Sequence, residues 1–322
     1  MTAAALVRSR KMRAGLRPVQ PRHDMGQIGE LIEKAFAGQL DDVGLRMVRE
    51  MRSLGRAGWL GWFVARLLLP PFANPLGYVW EEQGRVVGNA SLLPVERYPK
   101  RWVLANVAVY DEYRRRGIAR ALVQAALDLA REMNAKTVVL QVRSAQEGAR
   151  KLYDALGFRT YITRSAWARP PYQARPNAPK GTPVRLRAPE EWHAQWTLAN
   201  RVHPEGLIWP YPLIPGTFRP QKISGALRHR SRLHWVWYEE QRLQASLSAR
   251  YLRHRSCWRL ILMVAPEARG RVEGPMLATC LARLPGRDPA VLDYAAGVAE
   301  DQITSLGFST NAAFTWMGLD LA

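Results

Sequence analysis

An α/β fold built twice along the chain is what this sequence predicts, and three observations carry it. Residues 104–158 run apolar strand, glycine-bearing turn, helix, apolar strand, helix. A proline-crowded stretch, 169–183, reads as a stiff linker that divides the chain. Leu156-Gly157-Phe158 then returns as Leu306-Gly307-Phe308 at a matching place, each with a Thr two positions later. The length agrees, since 322 residues exceed the roughly 100–200 of one domain.

The elements follow in order. Pro18-Val19 opens a short strand, and Asp24 is placed to cap a helix bearing Ile28, Leu31, Ile32 and Ala35 at helical spacing. A second helix is expected over about 42–54, and the apolar run 59–69 is a further helical piece. That run is interrupted by Arg66 and closed by Pro70-Pro71, and is too short to cross a bilayer, which needs about 20 residues. Residues 77–81 and 86–93 read as a hairpin around Gln83-Gly84. Strands are expected at 103–109 and 137–142, with a helix ending at Leu156-Gly157-Phe158. Past the linker, 184–186 reads as a strand, 189–200 as a helix, 234–238 with 243–250 as a hairpin, and 258–264 as the next strand.

The chemistry concentrates where the strand 104–109 enters the turn Arg114, Arg115, Arg116, Gly117, Ile118, Ala119, Arg120. A strand feeding a glycine-bearing turn at a helix start is a phosphate-binding arrangement. The first-turn N–H groups lack intrahelical partners and the helix dipole adds positive charge there. Gly117 allows close approach to the backbone, and the arginines add full charges.

Two landmarks in this segment resemble the GNAT superfamily of N-acetyltransferases. Arg114-Arg115-Arg116-Gly117-Ile118-Ala119 fits that family's pattern of Arg or Gln, two residues, Gly, one residue, then Gly or Ala. Ala149-x-x-Leu152-Tyr153-x-x-Leu156-Gly157-Phe158 fits its second landmark. The resemblance covers about 18–168 well and 184–320 loosely. It implies a mixed, mostly antiparallel splayed sheet flanked by helices in each of two tandem domains. The expected layout is a basic tail at 1–17, an acetyltransferase domain at 18–168, the linker at 169–183 and a degenerate copy at 184–322.

The resemblance further implies direct acetyl transfer from acetyl-CoA to a primary amine, in a small molecule or a peptide, within a ternary complex. The backbone of Val107 and Val109 would contact the pantetheine arm, and the main chain of 115–120 the pyrophosphate. Tyr153 would protonate the departing thiolate. Glu96 is the nearest carboxylate for a general base, with Glu81 and Glu82 as alternatives. Gln146 stands where the family commonly has Asn. In the second copy Val272 stands where Gly117 does, Pro275 follows, and Ile303 stands where Tyr153 does. Two other readings share these residues: a non-catalytic acyl-CoA sensor, and a tandem acyltransferase of mycothiol-synthase-like layout. Trp59, Trp62 and Phe63 fall on the wall where family acceptors bind, as a helix packed under the second domain or as a lid for an apolar amine.

Composition narrows the setting. The net charge is +20, and residues 1–168 hold 27 Lys+Arg against 15 Asp+Glu, a difference of +12. The excess thus sits mainly with the phosphate-binding turn, where it would attract a polyanionic coenzyme. No recognisable nucleic-acid module accompanies it, which argues against nucleic acid as partner. Cys257 and Cys280 have no metal-ligand or disulfide spacing, pointing to no metal and to a reducing cytoplasm. The basic first 17 residues lack the apolar run of a signal peptide.

Overall fold

A computed structural model describes residues 15–38, 45, 48–53, 76–95, 98–203, 206–208, 211–220 and 232–321. The chain forms two compact units, one of 1–140, 151–159 and 318–322, the other of 141–150 and 160–317.

In the first unit, β1 (Leu16–Pro18) lies antiparallel to β2 (Leu76–Glu82), which pairs with β3 (Arg85–Val95). The hairpin turn has positive φ at both Gln83 and Gly84, the geometry that follows the twist of two-residue hairpins. β3 pairs with β4 (Tyr98–Val109), and β4 runs parallel to β5 (Thr137–Arg143). The helix α1 (Pro21–Ala35) starts on a proline and buries Met25, Ile28, Leu31 and Ile32. Asp24 does not cap this helix. It lies inside the first turn, buried, and accepts from the two terminal guanidinium nitrogens of Arg17 at 2.7 and 2.8 Å and from the Gln20 N–H at 2.6 Å. The second expected helix is present where it is described, at 48–53; the 59–69 run lies outside the described residues.

The helix α2 (Ile118–Glu132) buries Ile118, Leu122, Leu127 and Leu129 among others. A Cβ at Gly88 of β3 would stand 3.0 Å from both Ile118 Cγ2 and Leu122 Cδ1, so the bare backbone there lets α2 settle closely on the sheet. Gly88 pairs with Val109, which brings the start of α2 beside the end of β4. Of the short helix α3 (Glu147–Asp154), residues 151–154 are counted with this unit and lead to Gly157, at φ +89.

In the second unit, β6 (Arg159–Arg169) pairs antiparallel with β13 (Ala290–Ala295). No helix or strand interrupts 170–184, as the prolines dictate. After β7 (Arg185–Leu186), α4 (Trp192–Val202) and the short pair β8 (Leu207–Ile208) and β9 (Tyr211–Pro212) come the main strands. These are β10 (Arg232–Glu239), β11 (Arg242–Leu252) and β12 (Cys257–Val264), antiparallel in turn, with β12 parallel to β13. The helices α5 (Glu273–Arg283) and α6 (Glu300–Ser305) precede the last strand, β14 (Ser309–Asp320). The chain end is counted with the first unit, where the Leu321 N–H donates to Lys136 O at 2.8 Å. Trp235, Trp237 and Trp258 belong to the apolar core of the second unit.

The two units repeat details as well as elements. Trp80 donates to Glu82 at 3.1 Å, and Trp237 donates to Glu239 at the same distance. A register shift follows each of these tryptophans, and both hairpin turns have two successive positive-φ residues, Gln83-Gly84 and Glu240-Gln241. Arg116 faces Glu82 at 3.7 Å as Arg271 faces Glu239 at 3.0 Å.

Candidate active site

The opening in the sheet is built by β4. Its pairing with β5 covers Arg101–Thr137, Trp102–Val138 and Val103–Val139, while β4 continues to Val109 and β5 to Arg143. Among the described residues the pairing of β4 with β5 ends at Val103. On its other side β4 carries a bulge, with Asn106 and Val107 facing the single residue Ala90 of β3. Asn106 takes φ +54, in the left-handed region. Pairing with β3 resumes at Ala108 and Val109, so the bulge is confined to Asn106 and Val107, where extra twist re-aims the backbone.

At the end of β4 lies the turn. Asp111–Tyr113 form one tight turn, Arg115 has φ +66, and Gly117 has φ +78 immediately before α2. The Ala121 N–H is bonded to Gly117 O at 3.0 Å, and the N–H groups of 118–120 have no carbonyl within the helix to take. A Cβ at Gly117 would meet nothing within 4 Å, so this face of the turn is open.

The arginines divide into two kinds. Arg114 is tied down, to Asp111 at 2.7 Å and to Val109 O at 3.2 Å, and so fastens the turn to the strand. Arg116 is held by Glu82 and by Glu112 O at 3.1 Å, with its guanidinium over the Tyr113 ring. Arg115 and Arg120 are exposed, with no ion pair among the described residues, and leave positive charge beside the open turn. The Ile118 side chain is buried in the core, which leaves only its main chain for a ligand, and Ala119 is half-buried.

Tyr153 is the one buried side chain of α3, packed edge-on to Phe158 with ring centroids 5.8 Å apart. Burial pushes its phenol well above the ordinary tyrosine value, so the proton stays on, as a proton donor requires. Glu96 lies outside the described residues. Of its alternatives, Glu81 is bonded to Arg17 at 2.6 Å, and Glu82 to Trp80 and Arg116. Sequence reasoning passed over Asn89, which is fully buried and donates to Asn106 O at 2.8 Å; an Asn inside the apolar run of β3 was the available cue.

In the second unit the corresponding turn is filled by side chains of the same unit. Residues 266–268 repeat the tight turn, Gly270 at φ +82 takes the place of Arg115, and the Met276 N–H bonds Val272 O at 3.0 Å. Here the amides are already used. The buried Glu273 carboxylate accepts from the N–H of Gly270 at 3.0 Å, from that of Val272 at 3.2 Å and from the Tyr294 hydroxyl at 2.6 Å. Gln302 accepts from the Gly274 N–H at 2.8 Å and donates to Gly270 O at 2.6 Å. β11 and β12 pair without a bulge, and Ile303 is fully buried.

A model of the acetyltransferase (GNAT) family matches residues 50–158, which span the bulged strand, the turn and Tyr153. Residues 50–158 are thus similar to the GNAT family. Over 92 residues it is 37% identical to N-acetyltransferase 8F1 of Rattus norvegicus, covering 27% of this chain and 42% of that one. Over 85 residues it is 39% identical to N-acetyltransferase 8B of Homo sapiens, covering 26% and 37%. The chain thus spans less than half the length of these curated relatives. A GCN5-related N-acetyltransferase from Sphaerobacter thermophilus has a similar fold, with a TM-score of 0.58 at 15% identity over 96% of this chain and 97% of that one. Among the described residues no helix is long and apolar enough to cross a membrane.

Proposed function

We propose that this protein is an acetyl-CoA-dependent N-acetyltransferase, transferring acetyl directly to a primary amine of a small molecule or peptide in a ternary complex. The observation that carries the reading is the open turn at Gly117 standing at the end of a bulged strand whose pairing with β5 ends at Val103. Within it, the 115–120 main chain binds the pyrophosphate, with Arg115 and Arg120 adding charge and Arg114 and Arg116 bracing the turn. The main chain of Val107 and Val109 lines the pantetheine arm, and an N–H from this edge faces the thioester carbonyl. That donor stabilises the oxyanion formed as the amine attacks. Tyr153 then supplies the proton that the departing thiolate needs, and Glu96 removes one from the amine, directly or through water.

The layout we propose keeps catalysis in 18–168, joined through 169–183 to a degenerate copy in 184–322, with a basic tail at 1–17 and a cytoplasmic setting. The internal carboxylate of Glu273 at the second turn supports that division, because it takes the N–H groups a phosphate would need. A second reading, an acyl-CoA sensor without turnover, draws support from the ion pairs that engage Glu81 and Glu82. Thiol release from acetyl-CoA, measured over a panel of primary amines, separates the two. The enzyme reading expects release with at least one amine, while tight binding without release across the panel favours the sensor.

A further inference from the structure

We infer that Asn89 is a positioning residue: its side-chain amide sets the bulge of β4, and through it the direction in which Val107 and Val109 present their backbone. The inference rests on the acetyl-CoA reading of this site. Asn89 is fully buried in a stretch of β3 that also buries Val86, Val87, Ala90, Ser91 and Leu92. Its Nδ2 donates to Asn106 O at 2.8 Å and to Ser91 Oγ at 3.1 Å. The orientation of the amide follows from chemistry. A carbonyl oxygen only accepts, so nitrogen must face Asn106. Asn89 Oδ1 is then left buried with no hydrogen-bond partner among the described residues. An unpaired buried acceptor opposes folding, and an apolar residue of similar size would avoid it. The amide is therefore poorly explained as packing and well explained by the bond it makes to Asn106, the residue at φ +54.

The second unit supplies the contrast. Gly88 pairs with Trp80 as Ala245 pairs with Trp237, which puts Ser246 where Asn89 stands and Ser248 where Ser91 stands. Ser246 Oγ turns back to Trp235 O of the neighbouring β10, at 3.2 Å, and accepts from Gln195 at 2.6 Å. β12 has no extra residue there, and its register with β11 is unbroken. The longer amide and the bulge occur together in one unit and are absent together from the other.

The test compares two ligands in calorimetric titrations of the full chain: acetyl-CoA, and adenosine 3′-phosphate 5′-diphosphate, which is the coenzyme without its arm. Asn89→Leu is expected to weaken acetyl-CoA binding about tenfold, the loss of one hydrogen bond's worth of positioning. The nucleotide, held by the turn, should bind as before. Should Asn89→Leu not fold, Asn106→Val attacks the bulge from the other strand, because a β-branched side chain resists a positive φ. It should show the same split between ligands, and Asn106→Gly, which accepts that φ, should bind both like the parent. Equal affinity of the Leu and Val variants for acetyl-CoA, or parallel loss of both ligands, would overturn the role of Asn89 alone. A parent that binds neither ligand would overturn the coenzyme reading, and this inference with it.

Discussion

The turns at 110–121 and 265–276 share a backbone plan and differ in what fills them. Each follows a strand that starts parallel to its neighbour, each begins with a single tight turn, and each opens a helix. In the first, Gly117 at φ +78 faces open space and the helix start keeps its N–H groups. In the second, Val272 at φ −103 is buried, and Glu273 with Gln302 takes the N–H groups of Gly270, Val272 and Gly274. A helix start with open N–H groups is able to take an external anion, whereas the second is satisfied from within by a carboxylate. One backbone plan is thus filled in two different ways.

The comparison breaks most sharply at Gly117. In Gly117→Asp, a side chain forced into positive φ adds a negative charge where phosphates would sit, and acetyl-CoA affinity is expected to fall by at least about 100-fold. Isothermal titration of the folded variant checks this, and unchanged affinity would remove the turn from the site. Tyr153→Phe should keep acetyl-CoA affinity and slow turnover by roughly 10²-fold, the low end for loss of a general acid. An unchanged rate in single-turnover measurements would return Tyr153 to packing beside Phe158.

On the second turn the expected effect is on stability rather than on ligand. Glu273→Ala leaves the Gly270 and Val272 N–H groups and the Tyr294 hydroxyl without their acceptor, and should lower unfolding free energy by about 3 kcal/mol. Urea denaturation measures that loss, and acetyl-CoA affinity in native buffer should stay at the parent value. The smallest effect is with pH. Burial raises the phenols of both Tyr153 and Tyr294, and at Tyr294 the hydrogen bond to Glu273 adds to it. A raised phenol means the unfolded chain loses its proton first, so stability is level below the ordinary tyrosine value of 10.0 and falls as pH rises above it. Thermal melts across that range should show a shallower fall in Tyr153→Phe and in Tyr294→Phe; a fall as steep as the parent's would deny the burial effect.

What was legible in the sequence was whatever local pattern decides. The Gln83-Gly84 hairpin and the strand and turn before Gly117 follow from periodicity and turn chemistry, and Val272 is matched to Gly117 through the internal repeat and the family resemblance. Asp24 misled because a capping residue and a buried ion-pair partner look alike until Arg17 is brought alongside. Asn89 and Glu273 were illegible for a related reason. Each acts through a backbone group whose availability depends on a bulge or a helix start, not on neighbours in sequence. The strand Ala290–Ala295 also went unread, being short and set after the turn-rich Pro285-Gly286-Arg287-Asp288. The passage of residues 318–322 to the first unit has no local signature at all, because the Leu321 bond to Lys136 spans most of the chain.

The central claim is that one turn is open to coenzyme and the other is filled from within, and counting sites tests it most directly. Calorimetric titration of the full chain with acetyl-CoA should give one site per chain, absent in Gly117→Asp and retained in Glu273→Ala. Two sites per chain, or one site that survives Gly117→Asp, would contradict it.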